Sequence, residues 1–336
     1  MFNEISASDY LNGREGFSAT LDARSPGEYA ASNIPKAINF CAMTDEERAD
    51  IGRLYARTPF AARALGASYI CKNLAERLNG LEKLFTPADR LAIYCARGGM
   101  RSSSIAVVLA HIGYRIWRIR GGFKAYRNEI LRYFANLPPF RFIALDGPTG
   151  SGKSDLIRAL SWSVDLEALA NHKGSAFGEI AGAQPKTAKF ENELQYELAR
   201  FAPAAPVAIE AESKSIGRVI VPPKLHDAIQ KGLRVYIETP MEDRVDRVVR
   251  EYGAIDLAFF DAAAARIAPH IPRKALTAAR EAFIGRDLRK CAYLLLSEYY
   301  DKVYRKAERY DAIVKFDNMQ NALAQLETIR ERFGAR

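Results

Sequence analysis

The chain has 336 residues, with 49 Lys and Arg against 40 Asp and Glu, and 49% of it is hydrophobic. That is apolar material for two globular cores, and no apolar run approaches the ~20 residues that span a bilayer, so no membrane partner is expected. Met1-Phe2-Asn3-Glu4-Ile5 lacks a basic region leading into an apolar stretch, so a signal peptide is not expected either. Four scattered cysteines, Cys41, Cys71, Cys95 and Cys291, form no C-x-x-C pair. This argues against structural zinc and a disulfide framework and predicts a cytoplasmic location.

In chain order, Ala19–Leu21 reads as a strand running into Asp22-Ala-Arg-Ser-Pro-Gly-Glu-Tyr29, and Asn33–Asn39 as a turn into a short strand. The apolar run Leu91–Tyr94 precedes Cys95, a helix follows over Ser102–His111, and Ile116–Ile119 is a further strand. A helix over Tyr126–Ala135 stops at Pro138-Pro139, a stiff double proline that marks the boundary between domains at 1–137 and 140–336. Beyond it, Phe140–Leu145, Pro206–Ile209 and Leu233–Ile237 read as buried strands, with helices at Ser154–Ser161 and Lys189–Phe201. From Met241 onward the pattern is mostly helical. Strands alternating with helices predict α/β: an N-terminal parallel-sheet domain, then an α/β domain with a helical C-terminal part.

Two loops carry chemistry. Cys95-Ala-Arg-Gly-Gly-Met-Arg101 places a thiol at a strand end, before a helix. Gly98 and Gly99 let backbone N–H groups turn toward an anion, Arg97 and Arg101 add positive charge, and the set favours the nucleophilic thiolate. For Cys41, Cys71 and Cys291 the expected role is that of small, partly buried side chains, with a resolving role for Cys71 left open. Between Cys95 and Arg141 nine lysines and arginines face the single acid Glu129, a concentration suited to a polyanion such as RNA.

The second loop, Gly147-Pro-Thr149-Gly150-Ser151-Gly152-Lys153-Ser154, matches G-x4-G-K-[ST] in full, after a strand and before a helix. Its N–H groups would wrap a diphosphate, Lys153 would neutralise it, and Ser154 is placed for Mg²⁺, although no metal site is firmly assigned. A hydrolysing ATPase holds its metal with an Asp at another strand end; here that strand gives Ile209-Glu210-Ala-Glu212. Asp165, Glu167, His172, Glu210 and Glu212 are the candidate acids and bases of this site, with a structural role for His172 equally open. Arg244, Arg247 and Arg250 recur every three residues, as a basic lid or as a solvated salt-bridged face.

The stretches Asp22–Tyr29 and Ile34–Asn39, the Cys95 loop and Arg120-Gly-Gly-Phe-Lys-Ala-Tyr-Arg127 resemble a rhodanese domain. Joined to the P-loop, with Thr44–Arg48, Gly52–Tyr55, Asp165–Ser175 and Glu210–Gly217, the whole resembles the tRNA 2-selenouridine synthase family. That resemblance implies a transferase that replaces the sulfur of 2-thiouridine at the tRNA wobble position by selenium. It implies selenophosphate as donor, a geranylated intermediate made from geranyl diphosphate, and no tightly bound cofactor. Cys95 would then be the selenium-bearing nucleophile and Gly147–Ser154 the cradle for the prenyl donor's diphosphate. The implied partners are tRNA, through its anticodon loop, and a selenophosphate-supplying enzyme. Competing readings are a Cys-x5-Arg phosphatase or arsenate reductase, a P-loop ATPase or kinase fused to a sulfurtransferase, and a non-catalytic tRNA-binding module.

Overall fold

A computed structural model of the chain describes residues 2–179, 182–304 and 307–334. It comprises two compact units, residues 1–135 with 191–196, and residues 136–190 with 197–336.

The first unit is built on strands β1 (Asn3–Ile5), β2 (Ala19–Asp22), β3 (Ile38–Asn39), β4 (Arg90–Tyr94) and β5 (Arg115–Ile119). They pair in the order β1-β5-β4-β2-β3, all parallel. Its helices are α1 (Ala7–Gly13), α2 (Pro26–Ala31), α3 (Asp45–Tyr55), α4 (Pro59–Leu78), α5 (Met100–His111) and α6 (Gly122–Ala135). Central β4 is covered on both faces, which is why Leu91-Ala-Ile-Tyr94 is apolar without alternation; all four are fully buried.

Helices α3 and α4 fill a segment that carried no strong periodic signal in the sequence. Thr44 caps α3 reciprocally with Glu47, each backbone N–H donating to the other side chain (3.2 and 2.9 Å). Pro59 opens α4, and Asn73 on α4 donates to Glu47 (2.6 Å) and to the Ala42 carbonyl (3.2 Å). The helical hairpin is thereby tied to the core.

The second unit carries β6 (Arg141–Asp146), β7 (Ser163–Val164), β8 (Pro206–Glu210), the antiparallel pair β9 (Ser215–Ile216) and β10 (Val219–Ile220), β11 (Leu233–Glu238) and β12 (Ala312–Lys315). Its main sheet runs β12-β11-β6-β8-β7, again parallel. The helices are α7 (Lys153–Ala159), α8 (Leu166–Ala170), α9 (Thr187–Leu198, whose residues 191–196 group with the first unit), α10 (Pro223–Gln230), α11 (Met241–Tyr252), α12 (Leu257–Ile267), α13 (Arg273–Ile284), α14 (Leu288–Leu295), the three-residue α15 (Asp301–Val303) and α16 (Met319–Gly334). A single π-turn at Leu296–Tyr300 follows α14. The α/β class and the helical C-terminal part are as expected. The departure is β12, a short edge strand within the helical third. Only Val314 of its residues is buried, and its apolar run, Ala312-Ile-Val314, is too short to stand out.

Candidate active sites

Strand β4 delivers Cys95 to the C-terminal edge of its sheet, where open α/β sheets bind ligands. The strand tip is fixed by a buried network: the Tyr94 hydroxyl donates to Asp22 (2.6 Å), and Arg24 donates to the same carboxylate (2.6 Å) and to the Ser32 carbonyl (2.7 Å). Behind the loop, N–H groups of Phe123 and Lys124 donate to the carbonyls of Cys95 (2.8 Å) and Ala96 (3.0 Å). A Cβ on Gly122 would stand 2.1 Å from the Cys95 carbonyl, so only glycine admits this approach. The Arg120-Gly-Gly-Phe stretch is thus the buttress of the cysteine loop.

The Cys95 sulfur accepts from the Gly99 N–H (3.2 Å) and the buried Ser102 hydroxyl (3.2 Å). Ser102 was missed in the sequence, where it is merely the next small residue of a helix. Cys95 is only 3% exposed, yet it lines a cavity of about 690 Å³ and is reached through it. Arg97 is exposed on the rim of that cavity.

Arg101 departs from a simple cradle: its guanidinium donates to Glu28 (2.6 Å), which Arg48 also approaches (3.2 Å). Burial pushes the Glu28 carboxyl up, but Arg101, the Ser25 N–H and Arg48 together hold it below the usual carboxylate range. The basic tract is also partly neutralised, since Arg118 pairs with Glu4 and Arg132 with Glu129. Arg115, Arg120 and Lys124 remain exposed.

At the second site β6 runs into Gly147–Gly152 and then α7. Gly152 has φ 89°, and a Cβ there would stand 2.3 Å from the Phe316 ring. Lys153 Nζ folds back onto the Gly147 carbonyl (2.6 Å). Arg244 donates to the Thr149 carbonyl (2.9 Å) and is forked on Asp301 (3.0 and 2.5 Å). Arg247 donates to the Gly150 carbonyl (2.7 Å) and to Asp155 (3.0 Å). Both arginines brace the loop, Arg244 from outside and Arg247 while also lining the pocket, so they are not a solvated row; Arg250 alone is exposed and lies 3.4 Å from Asp155.

The pocket at this loop is about 220 Å³, and Ser151, Lys153, Ser154, Glu167 and Glu212 line it. Ser154 donates to Glu167 (2.7 Å). Burial, then the charge of Glu212, pushes the Glu167 carboxyl up to about 7. Burial also raises Glu212. Glu210 is fully buried with its pKa well above normal, through burial and then the charges of Asp165 and Glu167; it accepts from the Leu166 N–H (2.9 Å). Asp165 caps α8 through the Ala168 N–H (2.7 Å). His172 accepts the Gly174 N–H (3.1 Å) and does not line the pocket. Asp146, not singled out in the sequence, does line it and accepts from the Tyr304 (2.8 Å) and Tyr310 (3.1 Å) hydroxyls. Among the described residues, no three His, Cys, Asp or Glu side chains are grouped to hold a metal ion.

Thr149, Ser175, Val248 and Tyr252 form a wall shared with a second, apolar cavity under the helices α11 to α14. Phe177, Phe260, Phe283 and Leu295 line its interior. Its free volume is small, about 50 Å³. Cys291 lies there too, its thiol pushed up to about 12 by burial and then by Asp287, as an inert core sulfur. Cys41 is likewise buried, but Cys71 is exposed on α4, contrary to the expected partial burial.

The profile of the tRNA 2-selenouridine synthase AAA domain matches residues 140–270, and that of the Rhodanese-like domain matches residues 6–129. Proteins named tRNA 2-selenouridine synthase are similar across both. That of Hahella chejuensis is 38% identical over 73% of this chain and 66% of its own length; that of Sulfurovum sp. is 36% identical over 70% and 66%. That of Shewanella piezotolerans is 35% identical over 74% of this chain and 70% of its own. The chain belongs to the tRNA 2-selenouridine synthase family. It spans just under two thirds of the length of the first two of these relatives. It joins a rhodanese-like part to a P-loop part, and among its described residues no helix is long and apolar enough to cross a membrane.

Proposed function

We propose that this synthase-family protein replaces the sulfur of 2-thiouridine at the tRNA wobble position by selenium, in two steps divided between its two loops. At the phosphate loop the thiouridine sulfur attacks the first carbon of geranyl diphosphate. The carbon–oxygen bond breaks and pyrophosphate leaves into the amides and ammonium of Gly147–Lys153. At the cysteine loop the Cys95 thiolate attacks the phosphorus of selenophosphate, the P–Se bond breaks to free selenide for the base, and water then releases phosphate from the Cys95 sulfur. Mg²⁺, where it takes part, would be held through Ser154 and would help to neutralise the leaving diphosphate; the reaction runs in the cytoplasm beside an enzyme that supplies selenophosphate.

The observation that carries this reading is the apolar cavity sharing a wall with the phosphate pocket. A hydrocarbon tail on a diphosphate matches that pairing, and each methylene buried adds about 0.8 kcal/mol. The deciding experiment is mass spectrometry of nucleosides from thiolated tRNA incubated with the protein, geranyl diphosphate and selenophosphate. Geranylthiouridine with the first co-substrate alone, and selenouridine with both, are expected; neither product means the reading fails. A phosphatase needs an acid to protonate its leaving group. Glu28, the carboxyl lining the Cys95 cavity, is instead held ionised by Arg101 and Arg48.

Forming the thioether releases one proton, and Glu167 is the group poised to take it. Only its ionised form is a base, so geranyl transfer should rise with pH through about 7 and level off above it. Glu167→Gln should remove that limb and slow transfer by about 10²–10⁴-fold. An unchanged limb in initial-rate profiles would assign the base elsewhere.

Binding of tRNA should weaken with salt, each phosphate neutralised adding ~0.9 to the log–log slope on duplex and ~0.7 on single strands. Filter binding with Arg115, Arg120 and Lys124 replaced by alanine should lower that slope. An unaltered slope would remove this surface from the RNA site.

A further inference from the structure

The Cys95 cavity is larger and greasier than a small tetrahedral anion requires. The loop amides and arginines that suit selenophosphate occupy one side of it. The other side is built by Met43 just before α3, by α3 and α4, which bring Ala49, Ile51, Tyr55 and Ala62 together with Arg48 and Arg63, and by Met100 at the start of α5. Tyr55 and Met100 are 51% and 44% exposed, so this wall stands uncovered beside an ionic cradle. Gly66 lets two of its members converge: a Cβ there would lie 3.3 Å from the Ile51 Cδ1 and 3.6 Å from the Met100 Cε. An apolar wall running continuously from a charged reaction centre fits a reactant that is polar at the reacting atom and hydrocarbon beyond it.

We infer that this wall receives the geranyl chain of the thioether intermediate as its sulfur is displaced, an inference that rests on the two-step reading above. In the exchange the C2–S bond of the base breaks and a C2–Se bond forms. Sulfur leaves as geranyl thiol, the phosphoryl group of selenophosphate passes by way of the Cys95 sulfur to water as inorganic phosphate, and no oxidant or reductant is consumed. The chain thus has a seat at each loop, as donor tail in the second unit and as leaving group in the first. Ala49, Ile51 and Tyr55 are specificity-determining residues of the selenium step, and the Cys95 loop supplies the chemistry.

The test uses the full-length protein, selenophosphate, and anticodon stem-loop RNA carrying either S-geranyl- or S-methyl-2-thiouridine, with selenouridine measured by mass spectrometry. The wild type should prefer the geranyl RNA by at least about tenfold in kcat/KM, the scale on which apolar pockets discriminate. Ala49→Phe, at an exposed helical position where bulk does not disturb the core, should fill the groove and collapse that preference. Ala49→Ser should retain it, and geranylation of thiolated RNA should be unaffected in both variants. Equal rates on the two RNAs in the wild type, or an unchanged preference in Ala49→Phe, would overturn the inference while leaving the two-step reading in place. A wild type that cannot convert the geranyl RNA at all would overturn both.

Discussion

Replacing Cys95 by serine should abolish selenium incorporation while leaving geranylation and tRNA binding intact. Serine preserves the side-chain volume and the donors from Gly99 and Ser102, so the loop keeps its shape. What is lost is the polarizable sulfur, and a hydroxyl in the same place is a far weaker nucleophile near neutral pH. The measurement is nucleoside mass spectrometry, in which geranylthiouridine should accumulate in place of selenouridine. Undiminished selenouridine would remove Cys95 from the chemistry. Simultaneous loss of both products would point to a fold defect, which circular dichroism and tRNA binding would reveal.

Lys153→Ala should produce the complementary phenotype. The ammonium is the one full positive charge on the P-loop itself, and removing one such stabiliser of a developing anion costs about 10²–10³-fold in rate. Geranyl transfer should fall by that order, while selenation of RNA that already carries the geranyl group continues. Unchanged geranylation would separate the P-loop from this step. ATP turnover that needs no RNA and vanishes in the variant would favour the ATPase reading instead.

Much of the fold could be read in the chain because its central strands are buried on both faces. Leu91–Tyr94, Phe142–Leu145 and Val207–Ile209 are continuous apolar runs ending at Cys95, at Gly147 and near Glu210. The two loops were legible for a related reason: their glycines are demanded by close approaches, at Gly98 to the Gly121 backbone and at Gly152 to the Phe316 ring, with a positive φ at both. What escaped notice depends on contacts distant in sequence. Glu28 lies 73 residues from the Arg101 it neutralises, and Arg244 lies 57 from Asp301. No local pattern distinguishes such an arginine from one facing solvent. The edge strand β12 escaped because β11 specifies it by hydrogen bonds, while its own sequence buries a single residue.

The bond from Lys153 to the Gly147 carbonyl has a consequence for which molecules gain entry. The ammonium is bonded to a carbonyl of its own loop, and an anion bound there competes with that internal acceptor for it. A lone orthophosphate offers little in return, whereas pyrophosphate esters engage several amides as well as the lysine. The internal bond thus favours the larger ester over the commonest small anion of the cell.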